Sequence, residues 1–336
     1  MAEALAAWLQ RLRLAPSHFV AAAVLVALGA VPLIAGLLDE PYYVTLCTRI
    51  LVFALAALGL NLVLGYGAMV SFGHAMYLGI GAYAVGILAR HGIGNGWVHI
   101  GVALSVGGAV AVAVGLICLR TSGMAFIMIT LAFAQMLYFL AVSLREYGGD
   151  DGLPLALHSD FGWFDLAEAK VLYYFAFALL LATLFGLRRL VDARFGMVLR
   201  GCRSNERRMA ALGFPTLRYK LAAYVLSAQI CVVAGMLLAN LTRFVAPSYM
   251  AWTVSGELIV MAVLGGLGTL IGPVVGAAAL IWLEELLTSA HLGVAWLDPL
   301  LSQHWQALIG LFIVLVVLVL KQGLYGWLLV REARRT

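Results

Sequence analysis

Residues 58–83 read LGLNLVLGYGAMVSFGHAMYLGIGAY, an apolar run that nevertheless carries Asn61, Ser71 and His74. At membrane depth an unpaired polar group costs several kcal/mol, so these side chains need partners or a task. They are hydrogen-bond donors and acceptors, and on a helix Ser71 and His74, three residues apart, would share a face. One reading is a polar route between helices, since intramembrane ionisable groups usually face the bundle interior or a water-filled cavity. The other is hydrogen bonding across helices that only holds the bundle together. Metal binding has no second ligand at suitable spacing. Gln135 and Tyr138 share a face of a later apolar segment and carry the same two readings.

A second stretch, LGGLGTLIGPVVGA (residues 264–277), places five glycines and Pro273 in one apolar run. Such a run does not make a stiff helix. A helix restarting at Gly272–Pro273 would point free N–H groups and its positive dipole end into the membrane interior. Broken helices near the midplane hold substrate carboxylates in many transporters; a tight turn between two spans is the competing reading. Gly65–Tyr66–Gly67 is a second possible break. Glu257 is expected at the outer interface, and Glu284 and Glu285 at a solvated helix edge. Hydrolytic chemistry has no support: no Ser/His/Asp triad, paired carboxylates, H-E-x-x-H motif or P-loop is present.

The elements that must position these residues are membrane spans. Hydrophobic residues make up 64% of the 336-residue chain and charged ones 11%, against about 45–50% and about 25% in soluble domains. The expectation is an all-α polytopic transmembrane bundle of about ten spans (8–10). Windows fall near 18–38, 45–65, 68–89, 97–119, 123–144, 171–187, 219–240, 255–270, 272–289 and 304–320, with short or broken helices near 65–70 and 265–273. The first run is too long for a signal peptide and is read as a retained span. Residues 188–220 carry nine Lys/Arg against two acids, and residues 145–170 six acids against two bases. The positive-inside rule then makes the basic loop cytoplasmic and the acidic loop external. Arg11, Arg13, Lys321, Arg331, Arg334 and Arg335 put both termini inside. The net charge of +5 is thus a topology signal, not one for nucleic acid. Cys47, Cys118, Cys202 and Cys231 lack C-x-x-C spacing and suggest neither metal nor disulfides. Small residues recur every four positions at Gly107, Ala111 and Gly115, and at Ser71, Ala75 and Gly79, which lets helices approach closely.

Residues 200–220 read RGCRSNERRMAALGFPTLRYK. Arg203–Leu212 can form a short helix, capped by Ser204 or Asn205 and closed by Gly213 and Pro215. Arg207, Arg208 and Arg203 can pair with acidic walls of a partner, while Ala210 and Ala211 permit close contact. A plain positive-inside loop is the alternative.

Together these segments resemble the LivM-type permease subunits of bacterial branched-chain amino-acid ABC importers. Asn61, Gly65, Tyr66, Ser71, Gly73, His74, Gly81, Ala82 and Tyr83 match the first family motif. Gly123 and Thr130 match a Gly-x-x-Phe-x-x-x-Thr segment, and Gly148–Leu153 an outer Gly-rich loop. The likeness covers roughly residues 50–285. Glu206, Ala210, Ala211 and Gly213 are similar to the Glu-Ala-Ala…Gly loop that seats importer permeases on their ATPases. What the resemblance implies is a single permease domain over residues 1–336, with an ATPase-coupling loop 191–218, an external acidic loop 145–170 and a basic tail 321–336. It implies import of branched-chain or other hydrophobic amino acids across the inner membrane by alternating access. The substrate pathway would use Asn61, Ser71, His74, Thr130, Gln135 and Gly272. Coupling would use Arg203, Glu206, Arg207, Ala210, Ala211 and Gly213. This chain would bind no cofactor, with ATP and Mg in partner ATPases. Its partners would be a second permease, two ATPases, an external solute-binding protein docked on the acidic loop, and membrane lipids. Relatives often carry Gly-Gln where this chain has Ala68 and Met69, which keeps urea or short-chain amides open as cargo. A stand-alone carrier or channel is the remoter alternative, because proton relays need buried carboxylates and spans one to seven have no Asp or Glu in their interiors.

Overall fold

The computed structural model describes residues 16–38, 40–289, 305–319 and 323–333. Arg11, Arg13, Lys321, Arg334 and Arg335 lie outside them. The helices in chain order are α1 (Pro16–Leu38), α2 (Pro41–Asn61), α3 (His74–Arg90), α4 (Gly96–Cys118), α5 (Met124–Ser143) and α6 (Ala169–Asp192). They continue with α7 (Arg194–Ala211), α8 (Thr216–Thr242), α9 (Trp252–Gly265), α10 (Gly272–Ser289), α11 (Trp305–Val319) and α12 (Leu324–Ala333). One π-helical turn, Leu62–Tyr66, prolongs α2. Two-residue strands β1 (Leu153–Pro154) and β2 (Phe244–Val245) pair antiparallel. Among the described residues, five runs are long and apolar enough to cross a bilayer: Pro41–Tyr66, Gly96–Cys118, Met124–Ser143, Ala169–Asp192 and Thr216–Thr242. The chain is an all-α, multi-pass membrane bundle.

The centre of the bundle is α2. Its most apolar window is 94% buried, against 22% for α5 and 28% for α4, so α2 is a core helix and the other two present broad faces outward. Helices α8, α10, α6, α9 and α1 surround it. Helix α3 crosses α8 in close backbone contact. A Cβ on Gly235 would stand 1.8 Å from the Leu78 carbonyl oxygen, and one on Gly81 2.0 Å from that of Val232. Gly107 and Gly115 of α4 press on Val232 and Leu221 of α8 in the same way, as the small-residue spacing predicts. Without water to drive association, this close contact is a main source of helix–helix attraction.

The bundle has two chemically distinct ends. The acidic loop 145–168 meets the end where β1–β2, Asn240 and the start of α4 lie. The basic α7 meets the end where α2 stops and α8 starts. Two expectations change. The window 68–89 becomes helical only at His74, so Ser71 precedes α3 and does not share a helical face with His74. The window 255–270 ends at Gly265 and residues 266–271 are non-helical. Within the basic tail, α12 packs on α10 and α1.

The α3–α8 crossing gives a stability test. G235V should lower the apparent melting temperature of detergent-solubilised protein, since overpacking costs about 1–3 kcal/mol and here meets backbone. G186V, where a Cβ meets nothing within 4 Å, should match wild type.

Candidate functional site

Two helix breaks meet at the basic end. In the first, α2 unwinds through the π turn, Met69 N–H returns to the Val63 carbonyl at 3.0 Å, and Ala68 adopts φ 53°. In the second, α9 ends at Gly265 and α10 begins at Gly272. Asn61 clips them together: its Nδ2 donates to the Thr269 carbonyl at 2.8 Å and its Oδ1 accepts the Gly268 N–H at 3.0 Å. Gly268 has φ 75°, a conformation glycine reaches without steric cost. The Thr269 hydroxyl donates to the Gly266 carbonyl at 2.8 Å and accepts the Gly272 N–H at 3.1 Å. Gly272 therefore does not aim a free N–H into the membrane. The break also lies beside α7: Arg203 donates to the Gly65 carbonyl and its guanidinium approaches Gly268.

The segment leading into α3 is satisfied from two other helices and by its own Ser71. Phe72 N–H donates to Thr130 Oγ1 at 3.3 Å, Gly73 N–H to Ser71 Oγ at 3.2 Å and Ala75 N–H to Ser255 Oγ at 2.9 Å. His74 is fully buried, with Nδ1 3.0 Å from Ser71 Oγ and Nε2 2.9 Å from Ser227 Oγ. Ser227 spends its single hydroxyl proton on the Gly59 carbonyl at 2.6 Å. It must accept from His74, so Nε2 carries the proton, and a neutral ring accepts from Ser71 at Nδ1. The structure thus groups Ser71, His74 and Thr130, and separately Asn61 with Gly272. Gly59 and Asn61, two residues apart on α2, join the groups. Gln135 joins neither, and its Nε2 is buried without a partner among the described residues. Sequence reasoning missed Ser227, Ser255 and Thr269. Each is a single hydroxyl in an apolar helix or turn, far along the chain from the group it serves.

The basic segment divides at a kink. Asn205 has φ −161°, ψ 99° inside α7, and its Oδ1 accepts the Arg208 N–H at 2.9 Å, which is an N-cap. The short helix therefore starts after Asn205, and Arg203 belongs to the preceding segment that holds Gly65. Gly213, with φ 85°, closes the helix. Glu206, its side chain 43% exposed, pairs with the more buried Lys220 of α8 at 2.5 Å. Arg207, Arg208, Ala210, Ala211 and Gly213 are exposed, as are the apolar Leu212 and Phe214. A cavity of about 190 Å³ separates this segment from residues 67–70, walled by Leu119, Phe126, Cys202, Arg203, Glu206 and Lys220. Burial raises the Cys202 thiol pKa, opposed by Lys220, which leaves no reactive thiolate at neutral pH. No group of three metal-ligating side chains occurs among the described residues.

Residues 42–319 match the family described as branched-chain amino acid transport system / permease component. The chain is 26% identical over 306 residues to the high-affinity branched-chain amino acid transport system permease protein LivM of Salmonella typhimurium, spanning 84% of this chain and 69% of that one. The Escherichia coli K12 LivM gives the same figures. LivH of Escherichia coli K12 is 27% identical over 295 residues, spanning 82% and 91%.

The Asn61 clip can be tested directly. N61A should leave the Gly268 N–H and Thr269 carbonyl unpaired, at about 1–3 kcal/mol for an orphaned buried group. Hydrogen–deuterium exchange should rise at residues 266–272 before it rises elsewhere.

Proposed function

The chain belongs to the family of permease components of branched-chain amino acid transport systems, and on that premise we propose how this membrane subunit of an ATP-driven importer works. Its cargo is branched-chain or other hydrophobic amino acids, carried across the bacterial inner membrane. It is a transport subunit, and ATP with Mg is handled by two separate ATPase chains. A second, homologous permease completes the membrane part, and relatives named both LivM and LivH support such a pair. The whole chain, residues 1–336, acts as one permease domain of about ten spans with both termini cytoplasmic. The nine Lys/Arg of residues 188–220 support that orientation.

The observation that carries the mechanism is the hydrogen bond from Arg203 to Gly65, with Asn61 tying the same helix end to residues 268–269. The exposed knuckle of Arg207, Ala210, Ala211 and Gly213, within loop 191–218, seats on an ATPase. Glu206 does not reach the ATPase but locks the knuckle to α8 through Lys220. ATPase closure moves α7, Arg203 carries the motion to the broken end of α2, and the two breaks move together. Ser71, His74 and Thr130 keep the start of α3 in place beside the route. Asn61 and Gly272 form its joint, and Gln135 offers its unpaired amide to the passing polar groups. The external loop 145–170 receives an external solute-binding protein.

Two outcomes separate seating from transmission. A210E with A211E should abolish co-purification of the ATPases, because alanines at a packed interface leave no room for a desolvated carboxylate. R203A should keep the ATPases bound yet reduce ATP-dependent uptake of labelled leucine about tenfold, a loss of about 1.4 kcal/mol. Uptake of urea in place of leucine would refute the assigned cargo. On the outer face, Asp150, Asp151 and Glu168 are exposed. Reversing them to Lys should raise the binding-protein concentration needed for half-maximal uptake, and more so at low salt. Deleting 148–160 is a poorer test, since Leu153 and Ser159 anchor the loop to the bundle.

A further inference from the structure

A second cavity, of about 620 Å³, lies between α2, α9, α10 and α11, within the range of small-molecule sites. Its walls are mostly apolar, including Phe53, Trp252, Met261, Leu280 and Ile313, yet three charged side chains line it: Arg49, Glu257 and Glu284. The Arg49–Glu284 pair is loose, at 3.4 Å and 3.5 Å, longer than the roughly 2.7–2.9 Å of a strong charge-assisted bond. Arg49 stands over the Phe53 ring at 5.8 Å, and among the described residues its guanidinium donates only through one nitrogen, to Glu284. Glu257 is exposed to the cavity and makes no ion pair with a described base. One cation thus faces two carboxylates: Arg49 holds Glu284 only loosely, and Glu257 lacks a paired base among the described residues.

We infer that this cavity is a binding site for a zwitterion with an apolar side chain, its ammonium group on Glu257, its carboxylate on Arg49 and its side chain among Phe53, Trp252, Met261 and Ile313. The guest pairs Glu257 locally with its ammonium group and gives Arg49 the close anion that Glu284 does not. Its position fits passage. Gly256, in the cavity wall, faces Phe72, whose ring lies 3.9 Å from where a Cβ would stand. Phe72 belongs to the non-helical segment 67–73, and residues 67–70 of that segment line the smaller cavity at the basic end. The segment therefore lines the smaller cavity at one end and packs against the wall of the larger one at Phe72. This assignment rests on the amino-acid cargo proposed above. A zwitterionic phospholipid headgroup shares the same charges, and the experiment separates the two.

The test is equilibrium binding of labelled L-leucine to the purified full chain in phosphatidylglycerol nanodiscs. Competitors are 4-methylpentanoate, which lacks the ammonium group, and isoamylamine, which lacks the carboxylate. In wild type neither should displace leucine at about tenfold excess. E257Q should weaken leucine binding about tenfold or more, as losing one partner of a desolvated charge pair does, and should let 4-methylpentanoate compete. R49Q should do the same for isoamylamine. I313W, which enlarges an apolar wall residue without touching a charge, should lower leucine affinity equally. E285Q, beside Glu284 but bonded to Tyr42, should bind as wild type. The inference is overturned if wild type binds no leucine, if E257Q and I313W bind it normally, if isoamylamine alone competes fully, or if phosphatidylethanolamine nanodiscs abolish binding. ATP-dependent leucine uptake by the complete importer, measured alongside, reports on the transport reading independently. Uptake that persists while binding at this cavity fails removes only the site.

Discussion

A helix broken inside hydrocarbon exposes N–H and C=O groups that no water can satisfy, and the protein itself must supply their partners. Here that constraint selects the polar residues of an otherwise apolar core. Thr130, Ser71 and Ser255 take the donors ahead of α3, Thr269 takes the donor at the head of α10, and Arg203 takes a carbonyl freed by the π turn of α2. Asn61 serves two backbone groups of a turn that glycine alone makes possible. The breaks exist because these side chains do.

The same partners give the breaks mechanical meaning. A continuous helix transmits motion along its own axis. A broken one moves with whatever holds its free end, and the free end of α2 is held by α7 and by residues 268–269. At its other side α7 is held to α8 by Glu206–Lys220. A displacement of α7 therefore acts on the most buried helix of the bundle and on α8, which α3 crosses at van der Waals contact. Tightly packed crossings switch between discrete arrangements rather than deforming smoothly. That is a fitting substrate for a two-state transporter.

Much of this was legible in the sequence where the signal is local. Hydropathy and the four-residue repeat of Gly107, Ala111 and Gly115 anticipate α4 and its contact with α8. Asn61, Ser71 and His74 stand out because polar groups are rare in such segments, and Asn205 and Gly213 mark the ends of the short basic helix. What was not legible is pairing across the chain. Ser227 lies 153 residues from His74 and Thr269 208 from Asn61, and nothing in a single sequence announces which lone hydroxyl meets which amide. Ala68 gave no warning of positive φ because it is not glycine. Glu284 reads as a solvated helix edge because its partner, Arg49, lies 235 residues away. Gly272 reads as an open helix start because Thr269, which closes it, looks like an ordinary turn residue.

The opposite end of the bundle is built differently, and the contrast limits where motion can occur. There His99 donates from Nε2 to the Ile93 carbonyl at 2.8 Å and holds Ser159 at 2.8 Å through Nδ1. Asn240 accepts the Ser159 N–H at 2.9 Å and donates to the Ser159 hydroxyl and the Met236 carbonyl. With β1–β2 pairing beside them, these bonds join the start of α4, the acidic loop and the end of α8 without interrupting a helix. Opening that end means breaking several mutually dependent buried bonds at once, a larger cost than their sum as separate pairs. Opening the basic end means shifting segments already non-helical, whose backbone partners are side chains able to travel with them. The cheaper motion within this chain therefore concentrates displacement at α7, residues 67–73 and residues 266–271.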